Sequence, residues 1–260
     1  MRTEGTGKSG YHHGDLRNAL IEAATDLARD GGPEAVVLRA AARRVGVSPT
    51  AAYRHFTGQG DLLMAVKEQG QRGLAETMER SAAVGGTEGG TEGGPEDGAD
   101  GGVEGGGARN AGEAAEERVK ALGAGYIEFA LTEPGLFRAA FCRPPEAADG
   151  SGAPGPQEEP SHWMYRSFRL LAEALDGLVA TGRMSAERRS GAEITAWAAV
   201  HGLAVLLLDG SLGPLSPERR DALAAGALDT VIRGFTAPEG QPATRPGGPA
   251  AKSAPAYDVS

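Results

Sequence analysis

The sequence predicts an all-α protein, with an N-terminal three-helix unit that holds a helix-turn-helix and a larger helical domain after it. Three observations carry this prediction. Apolar residues recur at three- and four-residue spacing along most of the chain, no segment alternates convincingly with period two, and two short helical stretches meet at Gly46, the second opening on Ser48-Pro49.

Residues 15–30 form the first expected helix, with Leu16, Leu20, Ala23, Ala24 and Leu27 on one face. Gly31-Gly32-Pro33 ends it, because glycine tolerates the left-handed turn past a helix and proline cannot continue one. Residues 38–45 make a short second helix. Ser48 then caps a third that runs to about Phe56, with Pro49 at its first position, where a missing N–H costs nothing. A longer helix, 61–81, connects this unit to the rest.

Residues 82–112 hold 13 glycines and six acids against one arginine, including GGTEGGTEGG. Such composition buries too little to offset ordering entropy and predicts a disordered linker. Helical spacing resumes at 113–131, 135–142, 161–181, 187–208 and 217–235, interrupted by a flexible loop at 143–160 and followed by a disordered tail, 237–260. The domain plan is therefore a reader at 1–60 with an arm at 1–14, the connecting helix, the linker, and a body at 113–236.

Composition narrows the function classes. One cysteine, Cys142, among 260 residues excludes a disulfide framework and a multi-cysteine metal site. The adjacent His12 and His13 cannot both face one site on a helix, so no metal and no cofactor is expected. The strongest apolar stretch, 197–208, is too short to span a bilayer, and the chain does not open on an apolar run, so a soluble cytoplasmic protein without a membrane partner is expected.

The net charge of −9 argues against nucleic acid until its distribution is considered. Residues 1–80 carry 11 basic and 10 acidic side chains, while the remainder carries 15 and 25. Between residues 36 and 60 there are four arginines, Arg39, Arg43, Arg44 and Arg54, and no acid. A local basic patch governs phosphate contact; whole-chain charge governs solubility. A capped helix bearing such a patch suits a DNA major groove about 12 Å wide.

Residues 38–66, LRAAARRVGVSPTAAYRHFTGQGDLLMAV, resemble the DNA-binding domain of TetR-family regulators, with Arg39, Ala42, Gly46, Val47, Ser48, Tyr53, His55, Phe56, Leu62 and Leu63 in register. The YHHGDLR of residues 11–17, the PGLFRAAF of residues 134–141 and Trp197-Ala-Ala-Val-His201-Gly202 are similar to one subgroup, marked by a Trp-His-Gly motif. The resemblance implies a helical ligand-binding and dimerisation domain in the body and no enzymatic activity. It implies a sequence-specific regulator, a repressor released from a near-palindromic double-stranded operator by a small effector. The implied DNA-binding residues are Arg39, Ser48, Pro49, Thr50, Ala51, Tyr53, Arg54, His55 and Gln59. Two positions depart from the family pattern. Val37 stands where Ser or Thr is usual, and Gln59 where lysine is usual; each removes a phosphate contact.

For the effector, the candidate residues are Tyr126, Phe129, Phe137, Trp163, Phe168, Trp197 and His201, against the plainer reading that these aromatics and this histidine are core. Helices 187–208 and 217–236 are expected to pair across a two-fold axis into a homodimer, because their wide apolar faces have too little other helix to cover them. The competing class is a helical small-molecule-binding or enzyme module that keeps a vestigial reader.

Overall fold

Helix α1 (His13–Gly31) ends as its glycines dictate: Gly32 takes φ +73° and its N–H returns to the Ala28 carbonyl at 2.8 Å. A single 3-10 turn, Pro33–Ala35, not anticipated from sequence, carries the chain to α2 (Leu38–Val45) and α3 (Pro49–Ala52). This computed structural model describes residues 13–88, 103–142 and 162–237. Beyond the reader lie α4 (Gln59–Glu88), α5 (Val103–Thr132), α6 (Pro134–Phe141), α7 (His162–Ala180), α8 (Ala186–Arg189), α9 (Ala192–Leu208) and α10 (Pro217–Thr236), with no strand among the described residues.

Four boundaries differ from expectation. Helix α4 runs on to Glu88 and α5 starts at Val103, so the stretch 82–112 is helical at both ends; residues 89–102 lie outside the described residues. The α-helix of the reader stops at Ala52 rather than near Phe56. The next turn tightens, with the Arg54 N–H on the Ala51 carbonyl and the His55 N–H on the Ala52 carbonyl, and brings Phe56 back onto the core. The expected helix 187–208 is two helices, broken at Gly191, whose φ of +75° no helix accommodates. Arg189 holds the break: it pairs with Asp176 of α7 at 2.7 Å and with Glu193. Within α9 the apolar Ile194 points outward and is 64% exposed. Most of the arm 1–14, the loop 143–160 and nearly all of the tail lie outside the described residues.

One continuous core links reader to body, from Leu20 and Phe56 through Leu74 and Tyr126 to Ile232 and Phe235. Each fully buried large side chain contributes about 1.5–3 kcal/mol. The 30-residue α4, about 45 Å long, packs against α1 of the reader and against α5, α6 and α7 of the body, so the two share a spine.

Helix α6 is fastened at both ends. At its start, a β-carbon on Gly135 would lie 2.1 Å from the Ala28 carbonyl oxygen and 2.6 Å from that of Arg29, so only glycine lets α6 sit against α1. Glu133 beside it pairs with Arg29 at 3.0 Å. At its end, α4 supplies the donors that the last carbonyls need: Gln71 Nε2 donates to Ala140 at 2.9 Å and Lys67 Nζ to Cys142 at 3.2 Å.

Candidate nucleic-acid interface and aromatic core

The turn between α2 and α3 is built by Gly46. It takes φ +80°; its N–H reaches the Arg43 carbonyl at 3.2 Å, and the Val47 N–H reaches the Ala42 carbonyl at 2.9 Å, a double closure of the α2 C-terminus. A β-carbon here would meet nothing within 4 Å, so the demand is purely conformational. Gly46→Ala is therefore expected to cost about 1–2 kcal/mol and lower the melting temperature by several degrees in thermal denaturation. An unchanged transition would show that the turn does not need glycine.

Ser48 accepts from the Ala51 N–H at 3.2 Å and caps α3, and Pro49 follows at its first position. Beneath, Ala41, Ala42 and Ala52 are fully buried and let α2 and α3 cross closely, while Phe56 is sealed by the Arg17 guanidinium 5.0 Å above its ring. The outward side is polar and basic. Arg39, Ser48, Pro49, Thr50, Arg54 and Gln59 are exposed, Tyr53 is half exposed, and Ala51 and His55 are intermediate. Among the described residues Arg39, Arg43 and Arg54 carry no ion pair; Arg44 pairs with Asp30 at 3.4 Å. Val37 precedes α2 without any side-chain cap, and Gln59 begins α4, whose Asp61 reaches back to the Thr57 N–H at 3.0 Å. Charge, exposure and rigid backing coincide on one short helix and its flanks.

In the body, Tyr126, Phe137, Trp197 and His201 meet in one cluster, and Phe168 joins through Trp197 at 5.8 Å between ring centres. Phe141 belongs to it as well, 4.9 Å from both Phe137 and His201, and was not singled out from sequence. The signal existed: it lies four residues after Phe137, on the same helix face. Phe129 does not join; it is buried against Gly73 of α4. The side chain of Trp163 lies outside the described residues.

Burial lowers the His201 imidazole from its usual range and raises the Tyr126 phenol, so both are neutral near pH 7. Tyr126 Oη and His201 Nδ1 share a hydrogen bond 2.7 Å long, its donor set by the tautomer of the neutral imidazole. The rings pack edge to face. Beside them a void of only about 30 Å³ remains between Tyr126, Trp197, Leu171 and Val231, room for about one water.

A family model described as bacterial regulatory proteins of the tetR family matches residues 20–66, and a second, described as the tetracyclin repressor-like C-terminal domain, matches residues 119–231. The chain belongs to the TetR family of transcriptional regulators. As a TetR-family member it is a DNA-binding regulator, its helix-turn-helix lying within the first match and its aromatic cluster within the second. Among solved structures it is similar to a Rhodococcus sp. RHA1 protein of unknown function, at 26% identity and a TM-score of 0.63, over 88% of this chain and all of that one. It is also similar to a protein provisionally assigned as regulatory, at 19% identity and a TM-score of 0.52, over 84% of this chain and 96% of that one. A TetR-family regulator from Thermus thermophilus, PfmR, matches at 17% identity and a TM-score of 0.49, over 82% and 97% of the two chains. No curated protein sequence matches.

Proposed function

We propose that this regulator is a repressor that binds a near-palindromic operator as a homodimer and is released by a small effector. The observation that carries the reading is the surface of α2 and α3: exposed, unpaired Arg39 and Arg54 beside the Ser48-capped helix that displays Thr50 and Tyr53. Thr50 and Pro49 read base edges, with Ala51 against the groove floor. Arg39 forks onto a guanine or the adjacent phosphate, and Tyr53, Arg54, His55 and Ser48 meet the backbone, with Gln59 beside it but without the charge of the usual lysine. Trp197, His201 and Gly202 on α9 support the Trp-His-Gly subgroup. Selection of bound duplexes from a random library tests the whole. A two-fold symmetric site with half-sites about 34–36 Å apart is expected; enrichment of no sequence would defeat the reading.

The dimer rests on α9. After Glu193 this helix holds no charged residue, and apart from Thr195 and His201 it is apolar all round. One side covers the protein's own core; Ile194, Ala198 and Leu206 on the other are exposed. A helix apolar on every side is one buried on every side. On α10, Ala222, Gly226 and Thr230 form an exposed small-residue ridge that would let the two copies approach closely.

Val37 supplies a prediction of its own. Val37→Thr places a hydroxyl at the uncapped start of α2, within reach of a phosphate. Operator affinity should rise several-fold through a hydrogen bond to phosphate, while the slope of log affinity against log salt stays as it was, because a neutral hydroxyl displaces no counterion. Fluorescence anisotropy across a salt series reads both; an unchanged affinity would mean that no phosphate sits there.

The effector reading draws on the aromatic cluster, one apolar chamber with a single polar pair, Tyr126 and His201. Packed as it is, the chamber admits a ligand only if α6 or α9 moves, and α6 lies against the reader. A ligand that prefers the moved state would pull the reader from its operator spacing.

A further inference from the structure

Helices α5 and α10 leave an open groove of about 530 Å³ on the opposite side of α5 from the aromatic cluster. Its size falls within the ordinary range of small-molecule sites, about 300–1,000 Å³. Residues 117, 121, 124, 128 and 131 of α5 face residues 221, 224, 225, 228 and 229 of α10, each set on one helical stripe. The floor is apolar: Ala121, Ile127 and Leu228 are buried in it, and Ala124 lies exposed on its wall. The rim is acidic. Glu117, Glu128 and Asp221 are exposed along it, and the one lysine of the lining, Lys120, is already held by Asp229 at 2.9 Å.

We propose that this groove binds a small organic cation with a bulky apolar body. The apolar floor takes the body, and the uncompensated carboxylates of the rim set the sign of the charge. Over a low-dielectric floor such charges attract more strongly than they do in open water. An anion meets three exposed carboxylates against a single ammonium, Lys120, which Asp229 already holds. The site is separate from the chamber around Tyr126 and His201, and binding there does not depend on the operator reading. Its consequence for DNA would depend on it: a body wedged between α5 and α10 alters the tilt of α10, one of the two helices of the proposed dimer.

The test uses the full chain and a pair of probes of nearly equal size and opposite charge, tetraphenylphosphonium and tetraphenylborate, titrated by calorimetry. Saturable binding of the cation is expected, at least tenfold tighter than that of the anion. Ala124→Trp fills the groove from an exposed position and should weaken cation binding at least tenfold. Glu117→Gln with Asp221→Asn, both on exposed side chains, should weaken it several-fold with circular dichroism unchanged; this pair carries the test if the tryptophan variant misfolds. Absence of saturable binding, equal binding of both ions, or indifference to the groove variants overturns the proposal. So does an Ala124→Trp protein that turns monomeric in sedimentation, which would give the groove to a second copy. Mobility shifts run on the same samples keep the readings apart: operator binding without cation binding defeats the groove alone, and cation binding without operator binding defeats the operator reading alone.

Discussion

Replacing Ile194 and Leu206 together with arginine should convert the protein to a monomer and weaken operator binding at least a hundredfold. Both side chains lie on the outward stripe of α9, 64% and 43% exposed, in line with Ala198 and Gly202 at four-residue steps. At a two-fold interface each residue meets the same patch on the other copy, so every introduced guanidinium faces others of like charge in a dry setting. The chain's own core does not use this stripe, so the monomer should stay helical. The loss of DNA affinity follows from connectivity. In a dimer the second half-site is bound at an effective concentration set by the first, a gain on the order of 10²–10⁴ that a monomer forfeits. Sedimentation velocity reads the assembly and mobility shift the affinity. A variant that stays dimeric would place the interface elsewhere.

Arg39→Ala and Tyr53→Ala form the second test. Both side chains are exposed, and Arg39 has no ion pair among the described residues, so truncation should leave the melting temperature within a degree or two. A forked arginine–guanine contact discriminates by about 1–3 kcal/mol, and a symmetric operator engages it twice. Operator affinity should therefore fall from about thirtyfold to beyond detection, with unchanged circular dichroism. The two changes differ in kind. Loss of Arg39 should relax base preference at one position of each half-site. Loss of Tyr53 should weaken all sequences alike, because phosphate contacts set register and carry no sequence information. Wild-type affinity in both variants would remove α2 and α3 from the interface.

The reader was legible because its rules are local. A serine cap, a proline after it and a glycine at a positive φ fix the turn from nearest neighbours alone, and the periodicity of α1 and α10 shows their buried faces directly. What escaped was tertiary. Composition made 82–112 look structureless, yet α4 and α5 lie side by side, and a helix already supported by a packed neighbour extends at little cost per residue. The break at Gly191 is held by a pair between Arg189 and Asp176 of α7 that no local pattern encodes. Phe129 and Tyr126, three residues apart, were grouped by type, but one turns to α4 and the other to α9. Gly125 and Gly135 carry no local signal of their role. They mark where backbones meet: a β-carbon on Gly125 would lie 2.8 Å from the Met78 α-carbon.

The seam at Gly135 has a mechanical consequence. With backbone touching backbone, the junction of α6 and α1 holds no compressible layer of side chains, and close-packed matter of this kind passes a push along instead of absorbing it. A displacement started at the far end of α6, where Phe137 and Phe141 meet His201, reaches the first helix of the reader undiminished or separates the two helices altogether. The joint therefore behaves as a rigid pushrod.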